Sequence, residues 1–294
     1  MPRTPFFDSA TGRAFRRSYD AVLAKWPDGT TVDDVPSRFG TTRVTACGPD
    51  GAPPVVLLPG GGATSTVWFA HAVALSASHR VFAVDLIGDV GRSVPSGDPV
   101  RTVDDLLDWL RSVLDGLGLA RPSLVGHSYG AMIALAFVLR EPDRVDRSVL
   151  LDPNSCFAGM KPGYLLRALP TLVRPTEARQ RAFLAWETAG APLDADWLDL
   201  AAHGARFPTG KTVVPKRPSV TALRRLTADT TVVLAPHSRV HDAATVARTV
   251  REVSPVCRVV VLSSGTHHSL PMHPRDEVEA ALREALGEGR SAEK

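Results

Sequence analysis

The sequence predicts an α/β fold, a doubly wound and mostly parallel sheet with an inserted helical segment, and three observations carry that reading. Short runs rich in aliphatic and β-branched residues alternate with amphipathic stretches along most of the chain, the pattern of strands joined by helical crossovers. Those runs are continuously apolar, as strands covered on both faces are. The alternation breaks once, between Asn154 and Ala228, for roughly 75 residues, too long for a plain connection and therefore expected to hold structure of its own.

Taken in order, Ala14 to Trp26 carries Phe15, Tyr19, Val22, Leu23 and Trp26 at helical spacing, and Pro27-Asp28-Gly29 stops it. Phe39 to Cys47 reads as an edge strand closed by the turn cluster Gly48-Pro49-Asp50-Gly51. Val55 to Leu58 is a buried strand that runs into Pro59-Gly60-Gly61-Gly62, and Val81 to Leu86 is another. Val103 to Leu117 places Val103, Leu106, Leu107, Leu110, Val113, Leu114 and Leu117 on one stripe, with Asp104, Asp105 and Asp108 near the positive end of the helix. Ser123 to Val125 is a strand, Met132 to Leu139 a helix, and Val145 to Leu151 a strand ending in Asp152-Pro153. Thr230 to Leu234 and Arg258 to Leu262 are further strands, separated by a helix from Asp242 to Glu252 and followed by one from Pro274 to Leu286.

A chain of 294 residues, 44% apolar, can bury one large core. The expected organisation is a core from residues 1–153 and 229–294 with residues 154–228 inserted as a helical lid above the strand ends. Within the insertion Tyr164, Leu165, Leu166 and Leu169, then Phe183, Leu184 and Trp186, then Trp197, Leu198 and Leu200 form helical apolar faces whose aromatic residues are expected to pack internally. A formal charge of +3, with basic and acidic residues interleaved, gives no block for nucleic acid or a membrane surface, and neither partner is expected. Cys47, Cys156 and Cys257 are far apart without CxxC spacing, which suggests neither a disulfide framework nor a zinc site. Met1 to Ala10 lacks a leader pattern and no run approaches the ~18 apolar residues of a membrane span, so a cytoplasmic location is expected. The oligomeric state is not legible.

The chemistry is concentrated at Gly126-His127-Ser128-Tyr129-Gly130. A strand before it and a helix after it are the context of a nucleophile elbow, a turn so tight that small residues flank it and the serine hydroxyl is pushed out above the sheet edge. The free N–H groups of the following helix point at the same spot. The glycine run 60–62 has neither G-x-G-x-x-G spacing nor a phosphate-loop lysine, so it reads as the other half of an oxyanion hole, with Gly61 presenting a backbone N–H alongside that of Tyr129.

These motifs resemble the α/β-hydrolase fold, specifically small serine hydrolases in which a strand ends in His-Gly followed by small residues and a downstream Trp. Leu57 to Trp68 matches that segment, as do Val84 to Asp89 with Gly91-Arg92-Ser93, the 126–130 elbow, and the closing strand with its histidine and proline. The resemblance covers nearly the whole chain outside the insertion. It implies an ester- or thioester-cleaving enzyme that acts through an acyl-enzyme on Ser128 and needs no cofactor or metal. Its partner would be a small acyl substrate. Haloalkane dehalogenases and epoxide hydrolases share the fold but need a carboxylate where Ser128 stands.

Two departures stand out. Pro59 replaces the histidine that braces the oxyanion loop in the family. The acid usually follows the seventh strand, yet the run there is Ala235-Pro236-His237-Ser238, and Ser238 carries no charge. Asp152, at the end of the strand beside the elbow strand, is the expected substitute; Asp242 is the alternative, though it also reads as a helix N-cap. Family spacing from Val259 makes His267 the base, with His268 the alternative. The other histidines, His127 and His241 among them, read as packing or surface residues. Two further functions stay open: acyl transfer or cyclisation with water excluded, and a non-catalytic ligand-binding protein on this fold.

Overall fold

The computed structural model describes residues 4–191, 193–226 and 229–287. Eight strands, β1 (Thr31–Ser37), β2 (Gly40–Cys47), β3 (Pro54–Leu58), β4 (Arg80–Val84), β5 (Ser123–His127), β6 (Arg147–Leu151), β7 (Asp229–Leu234) and β8 (Arg258–Val261), form one sheet in the order β1-β2-β4-β3-β5-β6-β7-β8. The pairs β1/β2 and β2/β4 are antiparallel and the remainder parallel.

The continuous apolar runs follow from this burial. Successive residues of a strand point to opposite faces. Val56, Leu58, Leu124, Leu150, Val232 and Leu234 therefore join one core, while Val55, Leu57, Val125, Val149, Leu151 and Val233 join another. Helices α4 (Val103–Gly116), α5 (Tyr129–Arg140) and α10 (Ala243–Val253) cover the first face, and α2 (Ala10–Leu23), α3 (Phe69–Ser76) and α11 (Arg275–Leu286) the second. The α4 stripe is nucleated by a capping box in which the Thr102 side chain accepts from Asp105 N–H and the Asp105 carboxylate accepts from Thr102 N–H.

The 39–47 segment is not the edge. It pairs on both sides, and the edge is β1, which sequence patterning leaves out because Thr-Val-Asp-Asp-Val-Pro-Ser is mostly exposed and has no apolar period. Charges and a proline are how an edge strand avoids further pairing.

Among the described residues four helices lie between β6 and β7: α6 (Pro162–Val173), α7 (Glu177–Glu187), α8 (Ala195–Gly204) and α9 (Val220–Leu223). The expected boundary of the insertion at Ala228, and the core's expected ends at Met1 and Lys294, lie outside the described residues. Phe183, Leu184, Trp197 and Leu200 are buried, and α8 packs on α2. The apolar face of α6 behaves otherwise: Leu165, Leu166 and Leu169 are exposed and only Ala168 of that helix is buried.

The order reverses at β3, which has β4 on one side and β5 on the other. Ligands of open α/β sheets bind outside the carboxyl ends of strands at such a switch point. The register sets Leu58 opposite Gly126, and His127 opposite Leu151. The loop after β3, the turn after β5 and the residue after β6 are thus brought side by side by strand pairing alone.

Candidate active site

Ser128 joins β5 to α5 with φ 52° and ψ −111°, a conformation rare for a residue with a side chain. Such strain costs on the order of 1–3 kcal/mol and persists only when the surroundings over-determine it. Here they do. Ser128 N–H donates to the Leu151 carbonyl at 3.0 Å, and Met132 N–H to the Ser128 carbonyl at 3.1 Å. A Cβ at Gly126 would lie 2.5 Å from the Gly130 backbone, and one at Gly130 would lie 2.2 Å from the Leu58 carbonyl oxygen. Glycine at both positions lets strand, turn and helix close up and drives the Ser128 side chain outward.

Ser128 Oγ lies 2.7 Å from His267 Nε2, and His267 Nδ1 lies 2.6 Å from Asp152 Oδ2. All three side chains are buried, Asp152 completely. Asp152 immediately follows β6, also at positive φ (43°), with its N–H donating to the Val233 carbonyl at 2.7 Å. Its carboxylate accepts from Ala235 N–H (3.2 Å), Ser238 Oγ (2.8 Å), His241 Nε2 (3.0 Å) and His267 Nδ1 (2.6 Å). Burial pushes this carboxyl up, but the hydrogen bonds from His241 and His267 outweigh it and hold the group well below the usual carboxylate range. An ionised carboxylate only accepts. The Nδ1–H of His267 is thereby fixed, and Nε2 is left as acceptor for the serine hydroxyl. Burial pushes the His267 imidazole down against the opposing pull of Asp152, so the ring is neutral at neutral pH.

The loop after β3 passes on the other side of Ser128. A Cβ built on Gly61 would lie 3.6 Å from Tyr129 Cβ, so the backbones of these two residues are neighbours. Tyr129 opens α5, and its N–H has no acceptor one turn back. His127 packs beneath this loop: a Cβ at Gly60 would come within 2.9 Å of its Nδ1, and its Nε2–H donates to the His267 carbonyl at 2.9 Å. Burial first, then the neighbouring His267 and His268, push His127 down to about 3, so it is a neutral strut between the glycine loop and the histidine loop. Pro59 stands in that loop, and the histidine beneath it is the one next to Ser128.

A cavity of about 610 Å³ opens beside Gly61 and His268, lined from the insertion by Tyr164, Phe183, Trp197 and Phe207. A larger one of about 850 Å³, lined by Phe39, Ile87, Val100, Leu106 and Val213, reaches Tyr129 instead. The smaller touches both loops that flank Ser128. The Tyr129 hydroxyl donates to the Val213 carbonyl at 2.5 Å, tying the elbow to the insertion.

The two alternative residues lie elsewhere. Asp242 is the N-cap of α10, its Oδ1 accepting Thr245 N–H at 2.7 Å. His268 turns away from Ser128, its ring stacked 6.5 Å from Tyr164 and edge-on at 5.5 Å to Phe183. Its Nδ1 is 3.3 Å from Glu187 Oε2, outside hydrogen-bond geometry. Sequence patterning missed His127, His241, Ser238 and Glu187 as parts of the site. His241 had one faint signal, lying three residues beyond Ser238 in the loop where the family resemblance implies an acid; Glu187 had none. The three cysteines are free and buried. Among the described residues no group of His, Cys, Asp and Glu is arranged to hold a metal, and no helix is long and apolar enough to cross a membrane.

The sequence model of the alpha/beta hydrolase family matches residues 55–281. The chain is 38% identical over 152 residues to the carboxylesterase YbfK of Bacillus subtilis, covering 52% of this chain and 51% of that protein. It is 36% identical over 149 residues to the uncharacterized carboxylesterase nap of the same organism, covering 51% and 49%. These alignments span about half the length of the curated relatives. Over whole structures, the naproxen esterase (carboxylesterase NP) of Bacillus subtilis superposes with a TM-score of 0.86 at 26% identity, covering 94% of this chain and 98% of that one. The carboxylesterase CesB (YbfK) of Bacillus subtilis superposes at 0.88 and 25% identity, covering 96% and 100%.

Proposed function

The chain belongs to the alpha/beta hydrolase family, and on that premise we propose that it is a serine hydrolase cleaving a carboxylic ester or thioester of a small molecule. The observation that carries the proposal is the continuous relay from Ser128 Oγ through His267 to Asp152, at 2.7 and 2.6 Å. The names of the relatives, carboxylesterases and a naproxen esterase, support the same class.

In this reading Ser128 Oγ bonds to the acyl carbon while His267 Nε2 takes the hydroxyl proton. The carbonyl electron pair moves onto oxygen, where the N–H groups of Gly61 and Tyr129 receive it. Collapse of that intermediate breaks the bond to the alcohol or thiol, which leaves with the proton from His267. Water then attacks the acyl-enzyme by the same route, releasing the carboxylic acid and restoring Ser128. Asp152 holds the imidazole in one tautomer and offsets the charge of the imidazolium. Residues 154–228 serve as a lid whose aromatic wall shapes the acyl site, over a core of residues 1–153 and 229–294.

The test is turnover of p-nitrophenyl esters of graded chain length by Ser128→Ala. We expect a loss on the order of 10⁶-fold in kcat with the melting temperature preserved, and loss of labelling by a fluorophosphonate probe. Undiminished turnover in that variant ends the serine-hydrolase reading. Wild-type protein that neither turns over esters nor reacts with the probe would favour a ligand-binding protein on this fold.

A further inference from the structure

Glu187 is the last residue of α7, and its carboxylate is the only fully buried one of the insertion among the described residues. Local preference argues against it there, because the carboxyl end of a helix carries partial negative charge and favours a cation. Burying a carboxylate also costs several kcal/mol unless its oxygens are well supplied with donors. Every donor it finds is on one short loop. Its Oε1 accepts His267 N–H at 3.2 Å, and its Oε2 accepts His268 N–H at 2.9 Å and Thr266 Oγ at 3.1 Å, with His268 Nδ1 at 3.3 Å. That loop carries the proposed base. Burial pushes the Glu187 carboxyl up, but the contacts with His268 and the nearby His267 outweigh it and bring it down to about 2, so the group is ionised throughout the working pH range.

We propose that Glu187 is a positioning residue for His267. Reaching out of the insertion, it fixes the backbone of residues 266–268 so that the imidazole spans Ser128 and Asp152, and it adds a second negative charge that favours the imidazolium formed during turnover. Binding at the insertion and competence of the base are then one event, since α7 cannot move away without releasing two consecutive N–H groups of the histidine loop. The proposal rests on the reading of His267 as the base.

The groups that face the His267 ring are countable. Asp152 approaches from the end of β6, Ser128 and His127 from the elbow (the His127 ring at 4.9 Å), His241 from the loop after β7 (6.4 Å) and His268 from its own loop (5.1 Å), while Glu187 of α7 sits at the His267 backbone N–H and acts on the ring through its charge. His127 is held neutral. Asp152 and Glu187 are the two anions of the set. With the protonation of His268 unchanged, deleting the Glu187 charge makes the surroundings of His267 more positive by one unit, which disfavours the imidazolium and lowers the pH at which His267 titrates.

The experiment uses the full chain with a p-nitrophenyl ester and compares wild type, Glu187→Gln and His267→Ala. Glutamine keeps the shape and one acceptor oxygen but not the charge. We expect Glu187→Gln to lose ten- to a hundredfold in kcat, to keep KM within about twofold, and to move the acid limb of the kcat/KM profile to lower pH. A variant with wild-type kcat and an unmoved acid limb overturns the proposal. If glutamine prevents folding, Thr266→Val carries the test by deleting one donor to Oε2 while the carboxylate stays charged. A severalfold fall in kcat with the acid limb in place is then expected, and unchanged kcat overturns the proposal. Retained turnover in His267→Ala would remove the base reading itself. Loss of turnover there together with wild-type behaviour of Glu187→Gln removes only the role given to Glu187.

Discussion

Asp152 satisfies two histidines with one carboxylate, and Ser238 supplies a third side-chain donor to it. The position where the family resemblance implies an acid is here occupied by a hydroxyl that donates to the Asp152 carboxylate at the end of the neighbouring strand. This explains why Ser238 looks like a defect in the sequence: the motif records the position of a carboxylate along the chain, whereas catalysis needs only its position in space. Asp152→Asn keeps the shape and removes the charge, and an asparagine NH₂ facing His267 would favour the wrong tautomer. A loss on the order of 10⁴-fold in kcat is expected, with the melting temperature within a few degrees of wild type. Adding Ser238→Asp to that variant returns a carboxylate to within reach of His267 and should recover at least tenfold. In the wild-type background the same Ser238→Asp change sets two carboxylates side by side and should lower activity. Steady-state kinetics of the two single variants and the double variant decide the matter, and an inert Ser238→Asp in both backgrounds would contradict this geometry.

At the scale of elements, strand pairing does most of the work of assembling the site. The register Leu58 to Gly126 and His127 to Leu151 leaves no freedom in where the glycine loop, Ser128 and Asp152 end up. The elbow was legible because sterics at Gly126 and Gly130 restrict the residue types there. Gly130→Ala would drive a methyl to 2.2 Å from the Leu58 carbonyl oxygen and 2.6 Å from that of Pro59, both backbone atoms where β3 ends and the glycine loop begins. Separation of α5 from β3 is the expected result, costing several kcal/mol and most of the activity; overpacking of this kind typically costs 1–3 kcal/mol even where side chains can yield. Thermal melting and ester turnover measured together check it, and a fully active variant of unchanged stability would mean that the close approach is illusory. Other elements were less legible for physical reasons. β1 has no apolar period because an edge strand needs none, and α3 is a short helix of only eight residues with little room for periodicity. Glu187 finds its partners 80 residues away, and no local pattern announces a contact that only the packing of the insertion creates.

Across the whole molecule the same burial that tunes the site makes the fold sensitive to acid. His71, His127 and His267 are all held below the ordinary histidine range, each first of all by burial. In the unfolded chain they take up protons near pH 6.5. Below that pH the unfolded state therefore binds more protons than the folded one, and stability falls as pH falls, by about 1.4 kcal/mol per pH unit for each histidine the fold keeps neutral. For His127, held down to about 3, the penalty at pH 5 is about 2 kcal/mol. The buried carboxylates extend the loss. Glu187 is held down to about 2 and Asp152 well below the usual carboxylate range, so the stability they contribute is lost as pH drops below the ordinary carboxylate range. The melting temperature is accordingly expected to hold nearly level from pH 8 to about pH 7 and to fall from there to pH 5, before ordinary carboxylates protonate. His71 offers the cleanest check, being fully buried on α3 where it faces α11, with both ring nitrogens lacking a hydrogen bond and Nδ1 still 3.7 Å from Glu279. Replacing it with leucine removes one titrating group and two unsatisfied polar atoms together, so His71→Leu should melt no lower than wild type at pH 8 and visibly higher at pH 5. A wild-type melting temperature independent of pH over that range, or a variant that loses as much on acidification as the wild type does, would show that these imidazoles are not held neutral by the fold.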